Sequence, residues 1–219
     1  MILDLRDYVT TTAGRDLLID RCETTLFPAQ AQLGATFPGL FRDADDPCRF
    51  VWLRGMPDLA TRARVLTAFY VDGALWKAQR AEVNRWIVDS DDVLLVRPTT
   101  GWAAPAAGPS VVGMYTHLRP TAVRDDEAAA LDRSVADAIR AASGRVLVTL
   151  ATDPTPNNFP RHPIRTGPGP EGIHGRVWFA TFPPLDRSGL VSPSVPSVAL
   201  DLPDLTARRL VPTATSILR

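Results

Sequence analysis

Two short segments constrain this chain more than anything else in it. "ILDLRDYV" (2–9) and "CRFVWLRG" (48–55) both alternate strictly, yet neither sets an apolar face against an ordinary solvated one. In the first, Leu3, Leu5 and Val9 share a face and Asp4, Arg6 and Tyr8 share the other. In the second, Val51 and Leu53 alternate with Phe50, Trp52 and Arg54. Side chains of a strand point to opposite sides with a period of two. Each segment is therefore a strand with one aliphatic face and one aromatic, charged face. We read the aliphatic set (Leu3, Leu5, Val51, Leu53) as the surface that helices cover. The aromatic, charged set then faces a second sheet.

The rest of the first half fits around these strands. Leu18, Cys22, Thr25 and Leu26 recur at helical spacing from about Arg15. Pro28 should break or kink that helix, because it lacks the N–H and clashes with the preceding turn, and Gly34 should end it. "TFPGLFRD" (36–43) reads as a short, bent strand. Asp58 is a good N-cap for a helix through Tyr70. "VDG" interrupts it before a second helix carrying Trp76, Val83, Trp86 and Ile87, and "DDVLLVRP" (91–98) closes the unit. The order β-α-β-β-α-β is the ferredoxin-like arrangement. Residues 99–110, rich in proline, glycine and alanine, read as a linker. The pattern then restarts with a strand at 111–118 and a helix over 125–143. Its stripe is Ala128, Leu131, Val135, Ala138, Ile139 and Ala142, and Gly144 should end it. Strands follow at 145–151 and 175–182. Prolines 183, 184, 193, 196 and 203 leave no room for a second long helix. At most a short turn is expected around 203–208. A last strand lies in "RRLVPTATSIL" (208–218), placed at an edge or broken by Pro212. The expected fold class is α+β, with two ferredoxin-like repeats, 1–98 and a degenerate 111–219.

Composition narrows the function. The 219 residues carry 24 basic and 24 acidic side chains without charge blocks, so neither nucleic acid nor a membrane surface is an expected partner. No apolar run approaches a membrane span and the N-terminus is unlike a signal peptide, so we expect a cytoplasmic protein. Cys22 and Cys48, the two cysteines, lack metal-ligand or redox spacing and read as free thiols.

Several segments resemble the NIPSNAP family. Leu5, Arg6 and Tyr8 match its Leu-Arg-x-Tyr element, and "FVWLRGMPDLATRARVLTAF" (50–69) matches its third strand and second helix. Trp76 in "GALWKAQRAEV" (73–83) matches a tryptophan that follows a short break. "NNFPRHPIRTG" (157–167), "GRVWFA" (175–180) and "LVPTATSILR" (210–219) look like segments of the longer bacterial members. The resemblance spans nearly the whole chain and departs from the family after Phe182. It implies a dimeric α+β barrel architecture, closed within one chain or across a homodimer, and no single reaction.

Candidate chemistry gathers on the aromatic strand face and in one loop. Tyr8, Trp52 and Tyr115 are expected to hold a planar ligand, with Arg6 and Arg54 attracting a carboxylate, phenolate or enolate. The alternative is an interface between two sheets in which Asp4 pairs with Arg6 or Arg54. His117 shares a strand face with Tyr115 and is the acid/base candidate. The loop "ATDPTPNNFPRHPIR" (151–165) crowds prolines with hydrogen-bonding side chains. It reads first as a rigid crossover, with Asn158, Arg161, His162 and Arg165 as ligand contacts if it lines the site. The three histidines have no metal-ligand spacing, so no metal and no tightly bound cofactor is expected, and haem through His117 or His162 stays open. These readings point to a cofactor-free cyclase, isomerase or lyase. Its substrate would be an aromatic or polyketide-like molecule of bacterial secondary metabolism, such as antibiotic biosynthesis. The alternative is a non-catalytic ligand-binding or scaffold protein on the same barrel.

Overall fold

A computed structural model describes residues 1–103, 111–168, 172–182 and 204–218. The first half contains β1 (Ile2–Thr10), α1 (Gly14–Arg21), α2 (Phe27–Gln32), β2 (Thr36–Asp43), β3 (Arg49–Met56), α3 (Leu59–Leu66), α4 (Ala74–Trp86) and β4 (Ile87–Pro98). The second contains β5 (Val111–Arg119), α5 (Asp125–Ala141), β6 (Arg145–Thr152), β7 (His174–Phe182) and β8 (Leu205–Pro212). The eight strands close into one barrel in the order β1-β3-β2-β8-β5-β7-β6-β4, and every neighbouring pair is antiparallel. Closure is completed inside the chain, through β2–β8 and β4–β6.

Closure reverses the expected use of the two strand faces. Leu3, Leu5, Val51 and Leu53 point into the barrel, in one apolar cluster with residues of the second half such as Val112, Val148, Val177 and Phe179. Tyr8, Phe50 and Trp52 point outward, in a cluster with Leu18, Leu26, Phe69 and Val83 of the helical segments. The physical reason is space and partners. An eight-strand barrel is just wide enough to be filled by its own side chains, and aliphatic groups fill it without asking for hydrogen bonds. A buried guanidinium needs partners, and outside the barrel helices and loops can bring them. The register aligns Asp4 with Arg54, Arg6 with Trp52 and Tyr8 with Phe50, so the polar and aromatic groups form one outer patch.

The helices differ from expectation in instructive places. Pro28 does not break its helix. It falls in the first turn of α2, after a wide π turn at Cys22–Leu26, so its missing N–H sits where a register change is already made. A second π turn, Thr67–Asp72, joins α3 to Gly73 and α4. Asp58 caps α3 as expected, its Oδ1 accepting the Thr61 N–H at 2.7 Å. Ile87 starts β4 instead of ending α4. After α5 the left-handed residue is Ser143 (φ 60°) and not Gly144; the Gly144 N–H closes the turn on the Ile139 carbonyl at 2.8 Å. Gly144 is needed for space, since a Cβ there would meet the Phe182 ring at 2.4 Å.

β8 is neither broken nor at an edge. It pairs with both β2 and β5, and Pro212 is its last residue, where a missing ladder donor costs little. The strand begins at Leu205, where a turn was expected. The start of the 99–110 linker runs on beside β6, with Thr99 and Ala103 N–H groups bonded to the Thr149 and Leu147 carbonyls. Trp102 packs against the barrel interior. Residues 104–110 and the proline-rich 183–203 lie outside the described residues. Among the described residues no helix is long and apolar enough to cross a membrane.

Candidate functional site

A cavity of about 230 Å³ lies on the outer face of β1 and β3, beneath the helices. Its floor holds Arg6, Tyr8 and Trp52, and its roof comes from Leu18, Cys22 and Phe27 on one side and Tyr70, Trp76 and Val83 on the other. Arg161, His162 and Pro163 close its side. The loop of the second half thus reaches a site built by the first.

The polar base of the site is anchored by Asp4. Its carboxylate accepts from Arg54 Nη2 at 2.6 Å and Arg62 Nε at 2.8 Å, and all three side chains are fully buried. Burial alone would raise the Asp4 carboxyl, but Arg54, Arg62 and Arg6 outweigh it and hold the group well below the usual carboxylate range. Arg54 spends its remaining donors on Gln30 Oε1 (3.0 Å) and the Tyr70 hydroxyl (3.2 Å). Arg54 thus makes the pairing with Asp4 that the alternative reading of this face expected, and not the ligand contact of the leading one.

Arg6 is different. It is 2% exposed, and among the described residues no carboxylate lies within ion-pair distance of it. Its Nε donates to the Tyr8 hydroxyl at 2.9 Å and its Nη2 reaches the Ser90 carbonyl at 3.4 Å. Its guanidinium lies 5.1 Å from the Tyr8 ring centroid and 5.4 Å from that of Trp52. Arg6 Nη1 and Trp52 Nε1 are buried donors with no partner among the described residues. Burial pushes the Tyr8 phenol up to about 12, against the pull of Arg6. Tyr8 is therefore neutral, and while it accepts from Arg6 its own proton is free to be donated.

His162 sits edge-on to Tyr70, with ring centroids 4.2 Å apart, and its Nδ1 is buried without a partner among the described residues. Burial, with Arg6 and Arg54 adding to it, pushes the imidazole down to about 2. It is a neutral ring at any ordinary pH. Three guanidinium groups (Arg6, Arg54, Arg62) act on the His162 ring against the carboxylate of Asp4; with Arg161 and Asp91, which also line the cavity, positive charge stays in excess.

The two asparagines of the loop hold it in place. Asn158 Oδ1 accepts from Arg62 Nη1 at 2.7 Å, and its Nδ2 donates to the Leu59 carbonyl at 2.6 Å. Asn157 Oδ1 takes the Phe159 N–H at 3.0 Å while its Nδ2 donates to the His162 carbonyl at 2.7 Å. Asn158 is thus a pin for the loop and not part of the cavity lining, whereas Arg161 and His162 do line it. Arg165 turns away and pairs with Asp92 at 2.7 Å.

Tyr115 and His117 do not join this site. In the strand order β5 lies four places from β1, on the opposite side of the barrel, and outward faces on opposite sides share no cavity. Tyr115 is fully buried against Val135, Ile139 and Trp178, and burial pushes its phenol above the ordinary range. His117 is 7% exposed, between Arg176 of β7 and Leu205 of β8. The expected grouping of His117, Tyr115 and Arg54 is therefore split between two sides of the barrel.

Sequence reasoning missed Arg62, Gln30 and Tyr70. For Arg62 a signal existed: it falls with Leu59 and Leu66 on the inward stripe of α3, where a charge needs a buried partner. Cys22 and Cys48 are both free, and burial raises the Cys22 thiol, which leaves it inert. Among the described residues no three His, Cys, Asp or Glu side chains gather as a metal set.

No family model and no curated protein matches this chain. Among solved structures it is similar to a Lactobacillus acidophilus NCFM protein named "putative monooxygenase", with a TM-score of 0.55 and 10% identity over 96% of this chain and 93% of that one. It is also similar to a Fusobacterium nucleatum protein of the same name, with a TM-score of 0.48 and 11% identity over 96% and 91% of the two chains. The first likeness shows a shared fold: this chain has the α+β barrel architecture, an antiparallel barrel with its helices outside.

Proposed function

We propose that the chain is a NIPSNAP-like small-molecule enzyme that binds an ionisable aromatic substrate as its anion in the cavity beneath α1–α4. One observation carries this reading: a buried Arg6 guanidinium, unpaired by any carboxylate among the described residues, with Nη1 and the neighbouring Trp52 Nε1 both free to donate. Removing such a charge from water costs several kcal/mol, and an anionic ligand offsets that cost. The surplus of guanidinium groups favours the ionised form of a phenol, enol or carboxylic acid. Chemistry on this substrate needs no resident cofactor: Arg6 and Trp52 hold the oxyanion, and neutral Tyr8 exchanges a proton at the same oxygen. The role first given to His117 and Tyr115 passes to Tyr8.

Size narrows the substrate class. A dry cavity of about 150 Å³ admits benzene, so about 230 Å³ suits one substituted ring or two fused rings rather than an extended polyketide. Aromatic walls from Trp52, Trp76 and Phe27 suit a planar body. The strand orders β4-β1-β3-β2 and β8-β5-β7-β6 support two ferredoxin-like repeats. The Lactobacillus protein's name supports small-molecule chemistry on this fold. Bacterial secondary metabolism and a homodimer belong to the proposal through the family resemblance.

The test is a titration of the intact protein with benzoates, phenols and cyclic 1,3-diketones, followed by tryptophan fluorescence. Saturable quenching by anionic members is expected, with Arg6→Gln weakening it at least tenfold. Equal binding of neutral isosteres, or an unchanged Arg6→Gln response, would sink the reading. A rival is kept by one fact: the imidazole in the lining is neutral and far below a useful base, which suits binding without turnover. Mass spectrometry of bound ligands after incubation separates the two.

A further inference from the structure

The barrel interior is not filled throughout. At one mouth a cavity of about 240 Å³ opens between an aliphatic floor of Leu5, Val51, Leu94 and Met114 and a polar collar that includes Asp7 and Arg208. It lies on the inner side of β1, so the neighbouring residues Arg6 and Asp7 serve opposite sides of one strand.

The collar holds a mismatched pair. Asp7 is 9% exposed. Its Oδ2 faces Arg49 Nη1 at 3.0 Å and Arg208 Nη1 at 2.6 Å. Its Oδ1 is buried with no hydrogen-bond partner among the described residues, and Arg208 Nη1, despite its proximity, makes no well-directed hydrogen bond. An acceptor is thus left unmet beside a guanidinium nitrogen that is paired by charge but poorly directed for a hydrogen bond. Burial raises the Asp7 carboxyl against the pull of Arg208 and Arg49, so Oδ1 gains from any donor brought to it.

We propose that this mouth is a second ligand site, for a small neutral alcohol whose hydroxyl donates to Asp7 Oδ1 and accepts from Arg208 Nη1 while its aliphatic body fills the floor. Charge selects against the alternatives. The lining mixes Asp7, Asp92 and Asp204 with Arg165 and Arg208: a carboxylate would meet the three acids, and an ammonium would meet the two guanidinium groups and carboxylates already paired, Asp7 with Arg49 and Arg208 and Asp92 with Arg165. A hydroxyl serves donor and acceptor at once. The site stands independently of the anion cavity on the other side of β1.

Methionine supplies the reporter. The chain has three methionines, Met1, Met56 and Met114, and of these Met114 lines the cavity. Protein labelled with 13C at the methionine methyls would be titrated with cyclohexanol, cyclohexylamine and cyclohexanecarboxylate. The Met114 signal is expected to shift saturably with cyclohexanol alone, while Met1 and Met56 stay still. Leu118→Trp, which fills the cavity, should abolish the shift, and Asp7→Asn should weaken it at least tenfold. If Asp7→Asn does not fold, Leu118→Trp decides. A Met114 signal that never moves, that moves equally with amine or carboxylate, or that survives Leu118→Trp unchanged overturns the proposal.

Discussion

Both halves of the barrel lay helices on an outward sheet face, and they treat that face in opposite ways. On β1 and β3 the face carries Asp4, Arg6, Tyr8, Trp52 and Arg54, and the helical segments above it are interrupted by two π turns. A cavity remains between sheet and helices. On β5 and β7 the face carries Tyr115 and Trp178, and one regular helix, α5, packs Leu131, Val135 and Ile139 directly onto it. Its polar contacts to the sheet include the Trp178 Nε1–H donated to Asp132 at 3.0 Å and the Arg119–Glu127 pair at its first turn. A regular amphipathic helix presents an unbroken apolar stripe and seals a sheet. Interrupted helices with inward polar groups cannot seal it, and the charges left behind must find one another. The second half seals its outer face with apolar packing, and the first half leaves a cavity in its own.

The contrast can be broken most severely at Asp4. Asp4→Ala leaves Arg54 and Arg62 buried without a counter-charge and should cost about 3–5 kcal/mol, read by urea unfolding. A loss below 1 kcal/mol would mean that the network is not what holds the helices down. In the second half Ile139→Ala should cost about 2–5 kcal/mol through a new cavity, while fluorescence titrations of the first-half site stay unchanged. Altered ligand binding in that variant would show that the halves are not separable.

A pH series sharpens the comparison next. The His162 folded value, about 2, lies below its ordinary 6.5, so below pH 6.5 the unfolded chain takes a proton that the folded one refuses. The stability tied to neutral His162 is fully present above pH 6.5 and is lost as pH falls toward the folded value. Between pH 6.5 and 5 this amounts to about 2 kcal/mol, at 1.36 kcal/mol per pH unit. His162→Gln should flatten that part of the wild-type profile, and parallel profiles would refute the assignment. Asp4, also depressed, adds a loss only at lower pH, below the ordinary aspartate range.

Arg6→Gln should leave stability unchanged or slightly raised, since it removes a buried charge with no carboxylate partner among the described residues, yet weaken anion binding tenfold, which is about 1.4 kcal/mol. The smallest effect is expected at His117. His117→Ala should leave ligand affinity within twofold of the wild type, and a larger change would return His117 to the site.

Which parts were legible follows from what periodicity encodes. The strands 2–9, 48–55 and 111–118, the Asp58 cap and the helix of 125–143 were readable because each is written in adjacent residues. So was the division of β1 and β3 into two faces. Their orientation was not. Alternation says which residues share a face, while which face is inside depends on strands as distant as β8 closing on β2. His162 shows the same limit. The loop's density of prolines and asparagines was visible, but its reach across to a cavity of the first half was not.

By itself, then, the sequence determined local structure and the chemical character of each surface: aliphatic or charged, capped or interrupted, rigid or extended. Only the tertiary structure decided that Arg6 has no carboxylate partner among the described residues while Arg54 is satisfied, and that Tyr115 and His117 stand on the far side of the barrel. The reason is that a charge's role is set by its partners. Here those partners (Arg62 and the loop of His162) lie tens to more than a hundred residues away in the chain.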